Sequence, residues 1–84
     1  AAVYTTAEVL AGALVSTVFH DHDGDWQFLH DNYDPRGEIK VIRFEEVVRL
    51  DPDLQQLWNL EFGEMARREN EEDRWVRSHY QQMR

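Results

Sequence analysis

The chain has 84 residues, 42% of them hydrophobic, and its 17 acidic side chains against nine basic ones leave a net charge of −8 at pH 7. A chain this short builds one compact core and leaves no room for a second independent one, so residues 1–84 are read as a single small domain. The absence of cysteine excludes disulfides and thiolate zinc sites, and the acidic balance disfavours direct binding of nucleic acid or of an anionic membrane.

Thr5-Thr6-Ala7-Glu8 has the spacing of a capping box, in which Thr5 and Glu8 satisfy each other's orphan backbone N–H groups. It predicts a short helix over residues 6–11, stopped by Gly12. The apolar run Val9 to Phe19 is interrupted by Gly12, Ser16 and Thr17 and falls short of the roughly 20 residues that span a bilayer. No basic residue precedes it, so it lacks the positive start of a secretory signal, and a cytoplasmic location is expected.

Residues Leu14 to His20 and Trp26 to His30 are rich in β-branched and aromatic side chains and read as two strands. Asp23-Gly24 between them is a two-residue type I′ hairpin signal. That turn sets His20 opposite Gln27 and Val18 opposite Leu29. Val15, Phe19, Trp26 and Phe28 then share the core face, while Ser16, His20 and Gln27 share the other. Asp34-Pro35-Arg36-Gly37 is a turn signature, and Glu38 to Arg43 reads as a third strand.

Phe44 to Leu50 switches to helical spacing, with Phe44, Val47, Val48 and Leu50 available to the core. Asp51-Pro52 starts a second helix as N-cap and first helical residue, and Leu54, Leu57 and Trp58 form its apolar stripe, with Leu60 a further candidate. Residues 67–74 are all polar and would leave more than two helical turns without an apolar anchor. The reading therefore favours a hairpin of Phe62 to Arg68 and Arg74 to His79 over a C-terminal helix, with both open for residues 64–84. The expected fold is α+β, a small antiparallel sheet of three to five strands with one or two packed short helices.

His20-Asp21-His22-Asp23-Gly24-Asp25, with His30 nearby, holds metal-ligating types close together. The calcium comparison fails on spacing, since Gly falls at the fourth position from Asp21 and Asn32 stands at the twelfth, where an EF-hand needs Glu. The expected hairpin register also puts His20 and His22 on one face and His30 on the other, so no metal site and no cofactor are expected. For nucleophilic chemistry there are only Ser16 and Ser78, without a nucleophile elbow or a glycine-rich phosphate loop. No catalytic residue is assigned, and the chain is read as a non-enzyme.

The run Gly24-Asp25-Trp26-Gln27-Phe28-Leu29, followed by a polar loop, a short strand and a helix, and then Asp51-Pro52-Asp53-Leu54 before Gly63 and Arg67, resembles immunity-protein-33-like domains of bacteria. The resemblance covers about residues 15–77 and rests on short motifs. The family usually reads Asp-Ser-Gly-Trp where this chain has Asp23-Gly24-Asp25-Trp26, and it often has Pro where Phe62 stands. The resemblance implies a small protein that binds and neutralises a toxin, or a relative adapted to another binding task, and it carries over no catalytic residue.

Residues 1–35 hold six carboxylates and no Lys or Arg, so their field is unopposed along the chain. The leading expectation is a basic protein partner, bound through Asp21, Asp23, Asp25, Asp31 and Asp34 on the hairpin tip and the following loop. The rival readings are a nucleic-acid mimic that blocks a DNA- or RNA-binding protein, a metal-dependent enzyme centred on His20 and His22, and a scaffold subunit.

Overall fold

The computed structural model describes residues 1–81. Its elements in chain order are β1 (Val3–Thr6), α1 (Ala7–Leu10), β2 (Val15–His20), β3 (Trp26–His30), β4 (Ile39–Ile42), α2 (Phe44–Leu50), a 3-10 helix (Pro52–Leu57), β5 (Glu64–Arg67) and β6 (Val76–His79). The six strands form one mixed sheet in the order β4-β1-β3-β2-β5-β6, with β1 parallel to β3 and the other neighbours antiparallel. The α+β class is as expected. The sheet exceeds the expected three to five strands and is mixed rather than antiparallel, because β1 runs parallel to β3, and three short helical segments replace one or two.

The extra strand is β1, whose Val-Tyr-Thr-Thr composition suits a pleated surface. It precedes α1 directly, and this moves the helix cap by one residue: Thr6, not Thr5, is the N-cap, its Oγ1 accepting from Val9 N at 3.2 Å. Thr5 stays in the strand, fully buried, and donates its hydroxyl to Phe28 O at 2.7 Å.

The β2–β3 hairpin departs from the expected register by one residue. A type I′ turn needs positive φ at both central positions, but in this loop only Gly24 has it, at 94°. The connection is instead the longer segment Asp21 to Asp25, closed by Asp21 N–H to Asp25 O at 2.7 Å and Gly24 N–H to Asp21 O at 2.9 Å. His20 therefore faces Trp26, Phe19 faces Gln27 and Val18 faces Phe28. Such a slip exchanges faces. His20 turns inward and stacks on Trp26 with ring centroids 3.9 Å apart, while Phe19 joins Gln27 on the opposite face and is only half-buried. A bulge at Ser16 restores Val15 to the core.

The core joins Val3, Val18, Trp26, Phe28 and Ala66 of the sheet to Val9, Val47, Leu54, Leu57 and Leu60, so all three helical segments cover the same face. Phe44 adds edge contacts to Trp26 and Phe28 at 5.2 and 5.6 Å. The opposite face presents the cross-strand row Val41, Tyr4, Gln27, Phe19, Met65, Ser78. Among the described residues, no helix is long and apolar enough to cross a membrane.

Asp51 and Pro52 start the next segment as expected, with Asp51 Oδ1 accepting from Asp53 N at 3.1 Å, but the segment is a 3-10 helix. Three residues per turn align Leu54, Leu57 and Leu60 and leave Trp58 off the stripe. Trp58 is 68% exposed, which corrects its expected place in the core, and Leu50 is likewise exposed.

Residues 82–84 lie outside the described residues, and residues 64–79 form the hairpin β5–β6 rather than a helix. Its polar connection is anchored by Arg68, whose guanidinium is fully buried. Nε donates to Val15 O at 3.1 Å, Nη1 to Asp53 at 3.0 Å and Nη2 to Asp51 at 2.5 Å, and the group lies 4.3 Å from the centre of the Trp75 ring. One buried cation thus does for residues 67–74 what an apolar anchor does elsewhere.

Candidate partner-binding surface

The five aspartates singled out in the sequence fall at opposite ends of β3. Asp21, Asp23 and Asp25 form the tip before Trp26, while Asp31 and Asp34 follow His30. The five-residue strand separates the two groups by about 17 Å.

Asp21 is 5% exposed, covered on the Phe19 and Gln27 side of the sheet rather than in the core. Its carboxylate accepts from Gln27 Nε2 at 2.9 Å and from the Tyr80 hydroxyl, so it braces the tip against the segment after β6. Burial, reinforced by the hydrogen bond and the charge of Asp21, raises the Tyr80 hydroxyl above its ordinary pKa. Asp25 is half-buried and accepts from Ala2 N at 2.8 Å. Asp23 is exposed, with Oδ1 turned to Asp25 N at 3.0 Å.

Asp31 and Asp34 are exposed. Asp31 meets Arg67 Nη2 at 3.4 Å, a cation brought from β5 that the local sequence does not reveal. Asp34 accepts from Arg36 N at 2.9 Å, and Gly37 N–H to Asp34 O at 2.8 Å closes the expected turn.

The histidines do not converge. His20 is buried and donates Nδ1–H to Leu60 O at 2.7 Å, which fixes its tautomer, since a carbonyl only accepts. His22 is exposed and lies edge-on to Tyr80 at 5.2 Å. His30 Nδ1 meets Thr6 Oγ1 at 2.8 Å. Ligand-capable atoms come together instead at Glu61, Glu64 and His79, all within 4.8 Å of one another and on the surface. His20 and His22 belong to no group of three possible ligands among the described residues.

Beside the tip lies a segment to which the sequence reading assigned packing but no binding role, residues 58–63 between the 3-10 helix and β5. Trp58 and Phe62 are 68% and 65% exposed, while Leu57 and Leu60 are buried. The spacing of Leu54, Leu57 and Leu60 is the signal that points to it. The Phe62 ring lies 4.8 Å from that of His20 and reaches to 3.6 Å of where a Cβ on Gly24 would stand, so tip and segment are contiguous.

In comparisons with protein-family models, curated proteins and solved structures, nothing matches this chain.

Proposed function

We propose that this chain acts by binding a basic protein partner, in the manner of an immunity protein or inhibitor of the cytoplasm, without catalysis of its own. The observation that carries this reading is the unbalanced acidic surface. Its 17 carboxylates exceed its cations by eight, and four of the nine cations, Arg36, Lys40, Arg67 and Arg68, already sit in ion pairs with carboxylates of the chain itself. Arg68, fully buried between Asp51 and Asp53, contributes nothing to the surface as a free positive group. Such a field attracts a basic protein over distances of about a Debye length and speeds its association. Asp23, Asp31 and Asp34 are the exposed charges of the five, Asp31 and Asp34 in exposed pairs with Arg67 and Arg36, while Asp21 and Asp25 hold the tip in shape. The resemblance to immunity-protein-33-like domains supports the same reading. Affinity capture from source cells at low and at high salt tests it. A basic protein retained at low salt and released by high salt is expected, whereas a retained set with no basic member contradicts it.

A further inference from the structure

We propose that residues 58–63 are the apolar centre of the docking surface, with Phe62 and Trp58 inserted into the basic partner. This rests on the reading that the partner is basic and adds where it docks.

Inward and outward positions alternate with period three. Leu57, Leu60 and Gly63 are buried, and Trp58, Asn59, Glu61 and Phe62 are exposed. A polar segment would serve as well on the outside if it only joined the 3-10 helix to β5. Two large aromatics about two-thirds exposed are instead the residue types that dominate binding energy at the centres of interfaces.

The segment is also held rigidly. His20 donates Nδ1–H to Leu60 O at 2.7 Å, and Gly63 N–H donates to His20 O at 2.7 Å. The Glu61 N–H reaches Glu64 Oε1 at 3.0 Å. Gly63 has φ of 81°, and His22 packs where its Cβ would be. Arg77 ties the far side through Gln56 O and Asn59 Oδ1. An exposed aromatic on a fixed backbone loses little freedom on binding.

The occupant follows from charge. The accessible carboxylates of the tip 21–25 and the segment 58–64 are Asp23, Asp25, Glu61 and Glu64, with no Lys or Arg in either stretch and Arg77 on the far side at Asn59. A second copy meeting this surface face to face would set these carboxylates against their own kind, with −8 on each chain. A surface bearing Lys or Arg around an apolar recess complements both the rings and their acidic rim.

The test selects a random dodecapeptide library on the immobilised wild-type chain, then measures the enriched peptides, made synthetically, against Phe62→Ser and Trp58→Ser. Enriched peptides should carry Lys or Arg with an apolar side chain and bind each variant about 10-fold or more weakly. Far-UV circular dichroism should stay unchanged, and if Phe62→Ser lowers the melting temperature, Trp58→Ser decides. Basic peptides that bind all three proteins equally overturn this docking site while leaving the basic-partner reading intact. Failure to enrich basic peptides overturns both. Sedimentation showing a wild-type dimer that Phe62→Ser abolishes overturns the proposal in favour of a second copy.

Discussion

Arg68→Ala should destabilise the fold by about 3 kcal/mol. Removing one partner of a buried ion pair costs about 3 to 5 kcal/mol, because the remaining charge is stranded. Here the two carboxylates keep some water, their side chains being 21% exposed at Asp51 and 47% at Asp53, which places the cost near the lower end. Val15 O loses its Nε donor as well, a loss of about 1 kcal/mol that offsets part of that relief. Against a total of about 5 kcal/mol for a small domain, this is more than half. Arg68→Lys keeps the charge, but one ammonium cannot reproduce a fork to two carboxylates and a carbonyl, so about 1 to 2 kcal/mol should still be lost. Arg67→Ala is the milder comparison, since it loses an exposed pair with Asp31 and the bond from Nη1 to Thr17 Oγ1 at 2.9 Å, together about 1 to 2 kcal/mol. Urea unfolding followed by tryptophan fluorescence gives all three values, with an unchanged slope as the sign of a shared unfolded state. Equal losses at Arg67 and Arg68 would refute the role given to the buried guanidinium.

Tyr80→Phe should change the response to alkali: the raised Tyr80 pKa gives stability present below pH 10, the ordinary value, and lost as pH rises from there toward the folded value. The stability gap between wild type and variant should therefore narrow above pH 10 in urea unfolding, and a constant gap would contradict the Asp21 contact. Gly63→Ala should cost about 1 to 2 kcal/mol, because Ala resists φ of 81° and His22 must move, and a thermal melt reads the loss. Trp26→Ala should cost about 3 to 5 kcal/mol by denaturant titration, since the ring supports His20 and Phe44 alike. A chelator should leave the melting temperature unchanged, because Glu61, Glu64 and His79 lie at the surface, away from the core.

What could be read from the chain was chemistry confined to adjacent residues. Asp51-Pro52 states its own cap, Asp34 to Gly37 its own turn, and the polar stretch 67–74 its unsuitability as a packed helix. The hairpin register was not legible, because it turns on whether Asp23 adopts positive φ, and the bond from Asp21 N to Asp25 O offers the loop a longer closure. That one-residue shift hid the inward turn of His20 and, with it, the pin on Leu60, 40 positions away. Trp58 was misplaced because an α-helical pitch puts it in line with Leu54, whereas the 3-10 pitch aligns Leu54 with Leu57. Asp21 looked like a surface charge because its partner Tyr80 lies 59 residues on. Strand β1 pairs with β3 in parallel and β4 in antiparallel, contacts that no local pattern announces.

The central claim is that exposed acidic charge draws in a basic partner, and the association rate against salt tests it most directly. The captured partner is mixed with wild type and with a triple variant carrying Asp23→Asn, Asp31→Asn and Asp34→Asn, at several ionic strengths. Asn at position 23 keeps the oxygen that accepts from Asp25 N, so the tip retains its shape while its charge falls. The account predicts a wild-type rate that drops steeply as salt rises, and a triple variant that is several-fold slower at low salt with a flatter slope. Equal rates with equal slopes would contradict it, and the acidity of this chain would then serve only to keep it in solution.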